Sequence, residues 1–318
     1  MKVTEYFEKA NGQTFISFEI LPPLKGGKMQ AIFEVLDPLM EFKPPFIDVT
    51  YHREDFIYKK RESGYYEKTA IRKRPGTVGI CAAIMHRYGV DAVPHLICGG
   101  FSKEDTENAL IDLHFLNVNN VLALRGDARK MDGKFIPEPD GNDYAIDLVS
   151  QINDMNRGKY LDGNIIDGEK TDFCIGIAGY PEKHFESPNI NMDLEWTKKK
   201  IEAGADYIVT QMFFDNEKYF EYVDLCRANG INVPIVPGLK PLTKQYQLNS
   251  IPRLFHVNMP EAFAKELSKA KDRATIKEVG IEWCIQQSKE LKAKGVPCLH
   301  YYTMGDTKTI RRIVEAVY

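Results

Sequence analysis

The sequence predicts a single-domain (β/α)8 barrel spanning residues 1–318. Three observations predict it. Eight short runs rich in Val, Ile and Phe recur along the chain, several without clean alternation, as in strands covered on both faces. The segments between them are long enough to cross back as helices, which parallel strands require. No run is followed by G-x-G-x-x-G and no P-loop occurs, which counts against the rival doubly wound open sheet.

The first run, 14–21 (TFISFEIL), stops at Pro22-Pro23, and the second is 45–51 (PFIDVTY). Residues 52–75 then carry Arg53, Lys59, Lys60, Arg61, Arg72, Lys73 and Arg74 with interleaved acids. They are read as a solvated loop, with phosphate binding as the alternative. The third and fourth runs are 92–98 (AVPHLIC) and 118–125 (VNNVLALR). Ser102 between them suits the N-cap of a helix with acids in its first turn. Residues 128–143 and 153–172 are rich in Gly, Asp and Asn and are expected to be loop insertions, on the catalytic and opposite sides of the barrel respectively. The last four runs are 173–180 (FCIGIAGY), 207–214 (YIVTQMFF), 233–239 (VPIVPGL) and 297–303 (PCLHYYT). Asp215 suits another N-cap, and Gly204, Gly230 and Gly295 suit the ends of helices.

Composition narrows the function. The net charge of -3 lacks the basic excess of a nucleic-acid binder. No apolar run approaches the roughly 18 residues of a membrane span, and the N-terminus has no signal-peptide core. The six cysteines form no C-x-x-C and no metal-site spacing. They read as buried reduced thiols, consistent with a cytoplasmic enzyme without a metal site.

Barrel catalysis occurs at the C-terminal ends of the strands, and polar residues gather there. They are Glu19, Thr50 and Tyr51, His95, Arg125-Gly126-Asp127, Tyr180 with Glu182 and His184, Gln211, Pro237-Gly238, and His300, Tyr301 and Tyr302. Singly, His95 could be a hydrogen-bonded core histidine, Asp127 a loop cap and the tyrosines packing. Period-two alternation places Ile16, Phe18 and Ile20 toward the outer helices and Ser17 and Glu19 toward the axis. Burial there is expected to raise the Glu19 carboxyl and suit it to general-acid work. A carboxylate paired with an interior Arg or Lys is the alternative.

In order, "SFEILPP", "DVTY", "PHLIC", "ALRGD", "GYPEKH", "EAGADYIVTQMFFD", "IVPGLKPL" and "HYYTM" resemble the methylenetetrahydrofolate reductase family over essentially the whole chain. The resemblance implies a barrel that binds FAD non-covalently and reduces 5,10-methylenetetrahydrofolate to 5-methyltetrahydrofolate. NADH or NADPH is the electron donor, in ping-pong order through the reduced flavin. It implies Glu19 as the acid that opens the folate ring and Asp127 as the carboxylate beside flavin and pterin. Thr50, His95, Arg125, Gly126, Asp127, Tyr180, His184, Asp193 and Lys200 are the implied flavin contacts. Gln211, Gln247, Ile251 and Tyr302, with Glu19, are the implied folate contacts. A homo-oligomer with no membrane or nucleic-acid partner is expected.

The chain departs from the family's usual pattern in four places. "FEILPP" lacks two aromatics after the glutamate, and "VTYHRE" replaces a small Gly-Ala pair. Ile251 stands at a ring-stacking position, and Met304-Gly305-Asp306 replaces Leu-Asn-Arg. With the chain ending at Tyr318, no C-terminal regulatory domain and no inhibition by S-adenosylmethionine are expected. Two alternatives stay open: a related barrel flavoenzyme with another acceptor, and a non-catalytic barrel subunit.

Overall fold

The computed structural model describes residues 1–129 and 132–318. Its strands are β1 (Phe15–Ile20), β2 (Phe46–Val49), β3 (Asp55–Lys60), β4 (Tyr66–Ile71), β5 (Asp91–Ile97) and β6 (Asn120–Leu124). They continue with β7 (Cys174–Gly179), β8 (Tyr207–Thr210), β9 (Ile235–Val236), β10 (Gly238–Leu239) and β11 (Cys298–Tyr302). All but β3 and β4 form one parallel sheet in the order β10-β11-β1-β2-β5-β6-β7-β8-β9. β9 and β10 are halves of one segment separated by Pro237, so the two ends of that order are the same wall. The sheet closes as the expected (β/α)8 barrel.

All eight predicted runs contain barrel strands, most of them shorter than the run, and the seventh is split. Pro237 has no N–H to give the ladder, although its carbonyl still accepts from His300 N at 3.1 Å. Helices cover the outside. Ser102 caps Lys103–Phe115 through a reciprocal pair with Asp105, an arrangement that stabilises a helix by about 1 kcal/mol. Asp215 caps Asn216–Ala228. Gly204, Gly230 and Gly295 follow helices with positive φ.

Two sequence expectations need correction. Residues 52–75 are not simply a solvated loop: β3 and β4 pair antiparallel from Asp55↔Ile71 to Lys60↔Tyr66. The charges concealed a hairpin whose turn uses Gly64 at φ 85°. The helix Ala145–Asn156 also takes the first four residues of the expected 153–172 insertion. The expected loop 128–143 includes Lys130 and Met131, which lie outside the described residues.

The core has an outer and an inner cluster separated by the sheet, and a third cluster around Phe214, Ile251 and Phe263. Outside the sheet, Ile16, Phe18 and Ile20 pack with Ile32, Leu36, Ile310 and Ile313. Truncating a side chain as buried as Phe18 to alanine costs about 3–5 kcal/mol. A second cluster contains Phe46, Val93, Leu122, Cys174, Tyr207, Val209, Val236 and Cys298, closed below by Val3 and Phe7 of the helix Val3–Lys9. Gly176 leaves room for Tyr207, because a Cβ there would lie 2.4 Å from its ring. The N-terminal half of the barrel is therefore plugged with apolar side chains, and the chemistry is confined to the other end.

Candidate active site

Above the apolar plug lies a buried layer of four titratable groups. Alternation sends Ser17 and Glu19 of β1, Asp48 of β2, His95 of β5 and His300 of β11 inward, and the register sets Glu19 opposite Asp48 and Ser17 opposite His300. His95 Nε2 stands 3.6 Å from Glu19 Oε2 and 3.6 Å from Asp48 Oδ1. His300 Nε2 is 3.7 Å from Glu19 Oε2, and its Nδ1 is hydrogen-bonded to Ser17 Oγ at 2.8 Å. Thr50 Oγ1 donates to Glu19 Oε1 at 2.8 Å. The Glu19 side chain keeps 13% exposure against 4% for His95, 1% for Asp48 and none for His300. Glu19 is the member of the layer that reaches the open end.

The expected pKa of Glu19 is overturned. Burial does push the carboxyl up, but His95 outweighs it together with His300 and Thr50, and the net position is below the ordinary carboxylate value. The reverse holds at His95. Burial lowers it, yet Glu19 and then Asp48 raise it above the usual imidazole value. Glu19 is thus shifted toward its charged form and His95 toward its protonated form, with the two carboxylates beside the imidazole. Among the described residues, neither Arg nor Lys fills the pairing role that sequence alone allowed. Lys240, missed in the sequence, is nonetheless close enough for Glu19 to counter part of the lowering that burial imposes on it.

A second group lies at the ends of β6 and β7 and on the helix Ile190–Glu202. The Tyr180 and His184 rings meet edge to face at 4.7 Å. Asp193 accepts from His184 N at 2.9 Å and from Ser187 Oγ at 3.0 Å. Glu186 N donates to His184 Nδ1 at 3.2 Å, so a neutral ring carries its proton on Nε2. Lys200 is held 3.5 Å from the Ala178 carbonyl, with its ammonium lowered by burial against the pull of Asp193. Arg125 pairs with Glu186 at 2.5 Å. Gly126 takes φ 84° and lies against Ile97, a turn that a side chain would strain.

The expected folate contacts divide. Gln211 follows β8, and its Oε1 accepts from Met212 N at 3.1 Å. Tyr302 donates to the Thr210 carbonyl at 2.7 Å, and its ring meets His300 edge to face. Gln247 Oε1 is committed to Thr243 N and Lys244 N, at 2.8 and 2.9 Å. Ile251 is 2% exposed and packs with Met212, Phe214, Leu242, Val257 and Phe263 outside the barrel interior. An exposed ring-stacking surface is not what this isoleucine offers here. Asp48 was missed, although the alternation of Phe46-Ile47-Asp48-Val49 marks it as inward.

A family model described as methylenetetrahydrofolate reductase matches residues 3–318. The chain belongs to the methylenetetrahydrofolate reductase family. It is 33% identical over 295 residues to the 5,10-methylenetetrahydrofolate reductase of Pectobacterium carotovorum, covering 92% of this chain and 87% of that protein. It is also 33% identical over 301 residues to methylenetetrahydrofolate reductase 1 of Schizosaccharomyces pombe, covering 94% of this chain and 45% of the relative. The chain spans about half the length of several curated relatives that it matches. Among solved structures, a Clostridium thermocellum protein described as binding two copies of 5-methyl-5,6,7,8-tetrahydrofolic acid superposes with TM-score 0.57 at 13% identity. The match covers 98% of each chain and supports the fold alone. Among the described residues, no helix is long and apolar enough to cross a membrane.

Proposed function

We propose that this methylenetetrahydrofolate reductase family member reduces 5,10-methylenetetrahydrofolate to 5-methyltetrahydrofolate in the cytoplasm. Electrons come from NADH or NADPH in ping-pong order through non-covalently bound FAD. The observation that carries the reading is the placement of Glu19 at the open face of a buried cluster of carboxylates and imidazoles, in a barrel of this family.

The residues fit a flavin dinucleotide. His95 Nε2 is buried without a hydrogen-bond partner among the described residues, and His184, Asp193 and Lys200 combine an imidazole and an ammonium group with a carboxylate suited to ribose hydroxyls. Thr50, His95, Arg125, Gly126, Asp127, Tyr180, His184, Asp193 and Lys200 would hold it. When bound, FAD would supply a ring able to take hydride from a nicotinamide and return it to the substrate's methylene carbon. Opening the substrate's five-membered ring needs a proton on the departing nitrogen. Glu19 delivers it, and His95 resupplies the carboxyl from the buried side. Asp127 favours the iminium cation by its charge, Gln211 and Gln247 orient the folate, and Tyr302 shapes the wall beside Glu19.

Purified protein should be yellow and should oxidise NAD(P)H with a quinone acceptor in the absence of folate. A colourless protein that binds no added FAD overturns the flavin reading. The burial of Ile251 favours a second reading, a barrel flavoenzyme with another acceptor. Single-turnover reoxidation of the reduced protein separates the two, because only the reductase is reoxidised rapidly by methylenetetrahydrofolate.

A further inference from the structure

The hairpin β3–β4 stands over the open end of the barrel, rooted in the Tyr51-His52-Arg53 segment after β2. The Arg53 side chain is only 10% exposed, and neither Nη has a hydrogen-bond partner among the described residues. Its nearest carboxylate, Asp132, is 3.8 Å away, too far for a hydrogen bond. Room for the guanidinium is made by Gly99, where a Cβ would lie 2.7 Å from Arg53 Nη1 and 3.2 Å from the Phe135 ring. Burial and the neighbouring Arg129 both press Arg53 below its ordinary value, against Asp132, Glu138 and Asp127.

Arg129 has one arm occupied and one free. Its Nη2 donates to Glu138 at 2.7 Å, whereas its buried Nε has no partner among the described residues. Its guanidinium lies 4.1 Å from the centroid of the Phe56 ring on β3, and Lys68 of β4 lies 3.8 Å from the same centroid. Arg125 covers Phe135 at 5.0 Å. Cations and aromatic rings thus alternate from the hairpin across to the loop after β6. Two adjacent guanidinium groups, both with buried unpaired N–H donors, are costly without an anion to share.

We propose that Arg53 and Arg129, beneath the hairpin, form an anion seat that takes a phosphate group of a dinucleotide. The diphosphate bridge of a dinucleotide carries one negative charge on each phosphate and so answers both guanidinium groups, and its oxygens match the planar fork of Arg53. A single carboxylate answers one, as Glu138 already does for Arg129. The dinucleotide, FAD or the pyridine nucleotide, rests on the function proposed above. The seat itself does not.

Calorimetric titration of the nucleotide-free full chain with inorganic pyrophosphate tests it. Saturable one-to-one binding is expected, weakened at least tenfold in Arg53→Met. In Arg53→Lys, where charge remains and the fork is lost, the weakening should be smaller but at least threefold. The lysine variant decides the matter if circular dichroism shows the methionine variant unfolded. No binding to the wild type, or equal binding to wild type and variant, overturns the seat. Parallel titrations with FAD and NADH identify the source as the dinucleotide whose affinity falls tenfold in Arg53→Met. If neither falls, an adventitious ion only has been measured and the proposal fails. It fails too if a tri-γ-glutamate peptide binds more tightly than pyrophosphate and depends equally on Arg53. If FAD binds nowhere but pyrophosphate and NADH still depend on Arg53, the flavin reading falls and the seat stands.

Discussion

Nε2 of His95 lies 3.6 Å from the Glu19 carboxylate, inside a barrel whose lower half is sealed by apolar side chains. Burial alone favours the neutral form of each group, and together they shift each other toward the charged form. Asp48 Oδ1 stands 3.6 Å from the same nitrogen.

Replacing Glu19 with glutamine keeps the shape and removes the carboxyl group that passes the proton to the substrate. Folate reduction should fall about 10²–10⁴-fold, the usual loss for one general acid, while NAD(P)H oxidation with quinone is largely kept. Rapid-mixing assays of the two half-reactions check this. Equal losses in both would assign Glu19 a structural or flavin-serving role.

The raised His95 pKa makes stability depend on pH. A histidine protonated more readily when folded contributes its full stabilisation below the unfolded value of about 6.5, and loses it as pH rises through the higher folded value. Thermal midpoints measured between pH 5.5 and 8.5 should therefore fall on the alkaline side. His95→Gln should flatten that slope, and a variant with the unchanged slope would place the titration elsewhere.

Asp48→Asn removes one of the two carboxylates that raise His95. The alkaline loss of stability should then begin at a lower pH than in the wild type, because Glu19 alone retains the proton less firmly. Direct NMR titration of the His95 ring measures the same shift. An unchanged ring titration would show that Asp48 does not hold the proton.

Gly280 sits within the helix Arg273–Ala293, where alanine ordinarily stabilises by about 1 kcal/mol. Here a Cβ would fall 1.6 Å from the Leu242 carbonyl oxygen, so backbone must move. Gly280→Ala should destabilise by about 1–3 kcal/mol, the usual range for overpacking. Denaturant unfolding reads both size and sign.

Much of this architecture was legible because it depends on local pattern. Period-two alternation in 14–21 correctly separated the outward Ile16, Phe18 and Ile20 from the inward Ser17 and Glu19, and Ser102 and Asp215 cap helices as their neighbours suggested. What the sequence hid depends on partners remote in the chain. The direction of the Glu19 shift is set by His95 and His300, 76 and 281 positions away in the numbering, and periodicity carries no sign for such a sum. Ile251 was placed by resemblance, whereas its burial follows from how the helix Gln247–Phe255 packs on Phe214 and Phe263. The hairpin was obscured because its strands are mostly solvated and charged, leaving little apolar alternation to detect.

The parallel pairing of β1 with β11 joins Ser17 to His300 across nearly the whole chain. During synthesis the N-terminal strand emerges with its carboxylate long before the imidazole that will neighbour it. A nascent chain reaching only residue 295 has neither that ring nor the wall that carries it. Until then Glu19 lacks the part of its acidity that His300 supplies, and one flank of the buried layer has no wall. The complete layer is therefore a property of ring closure.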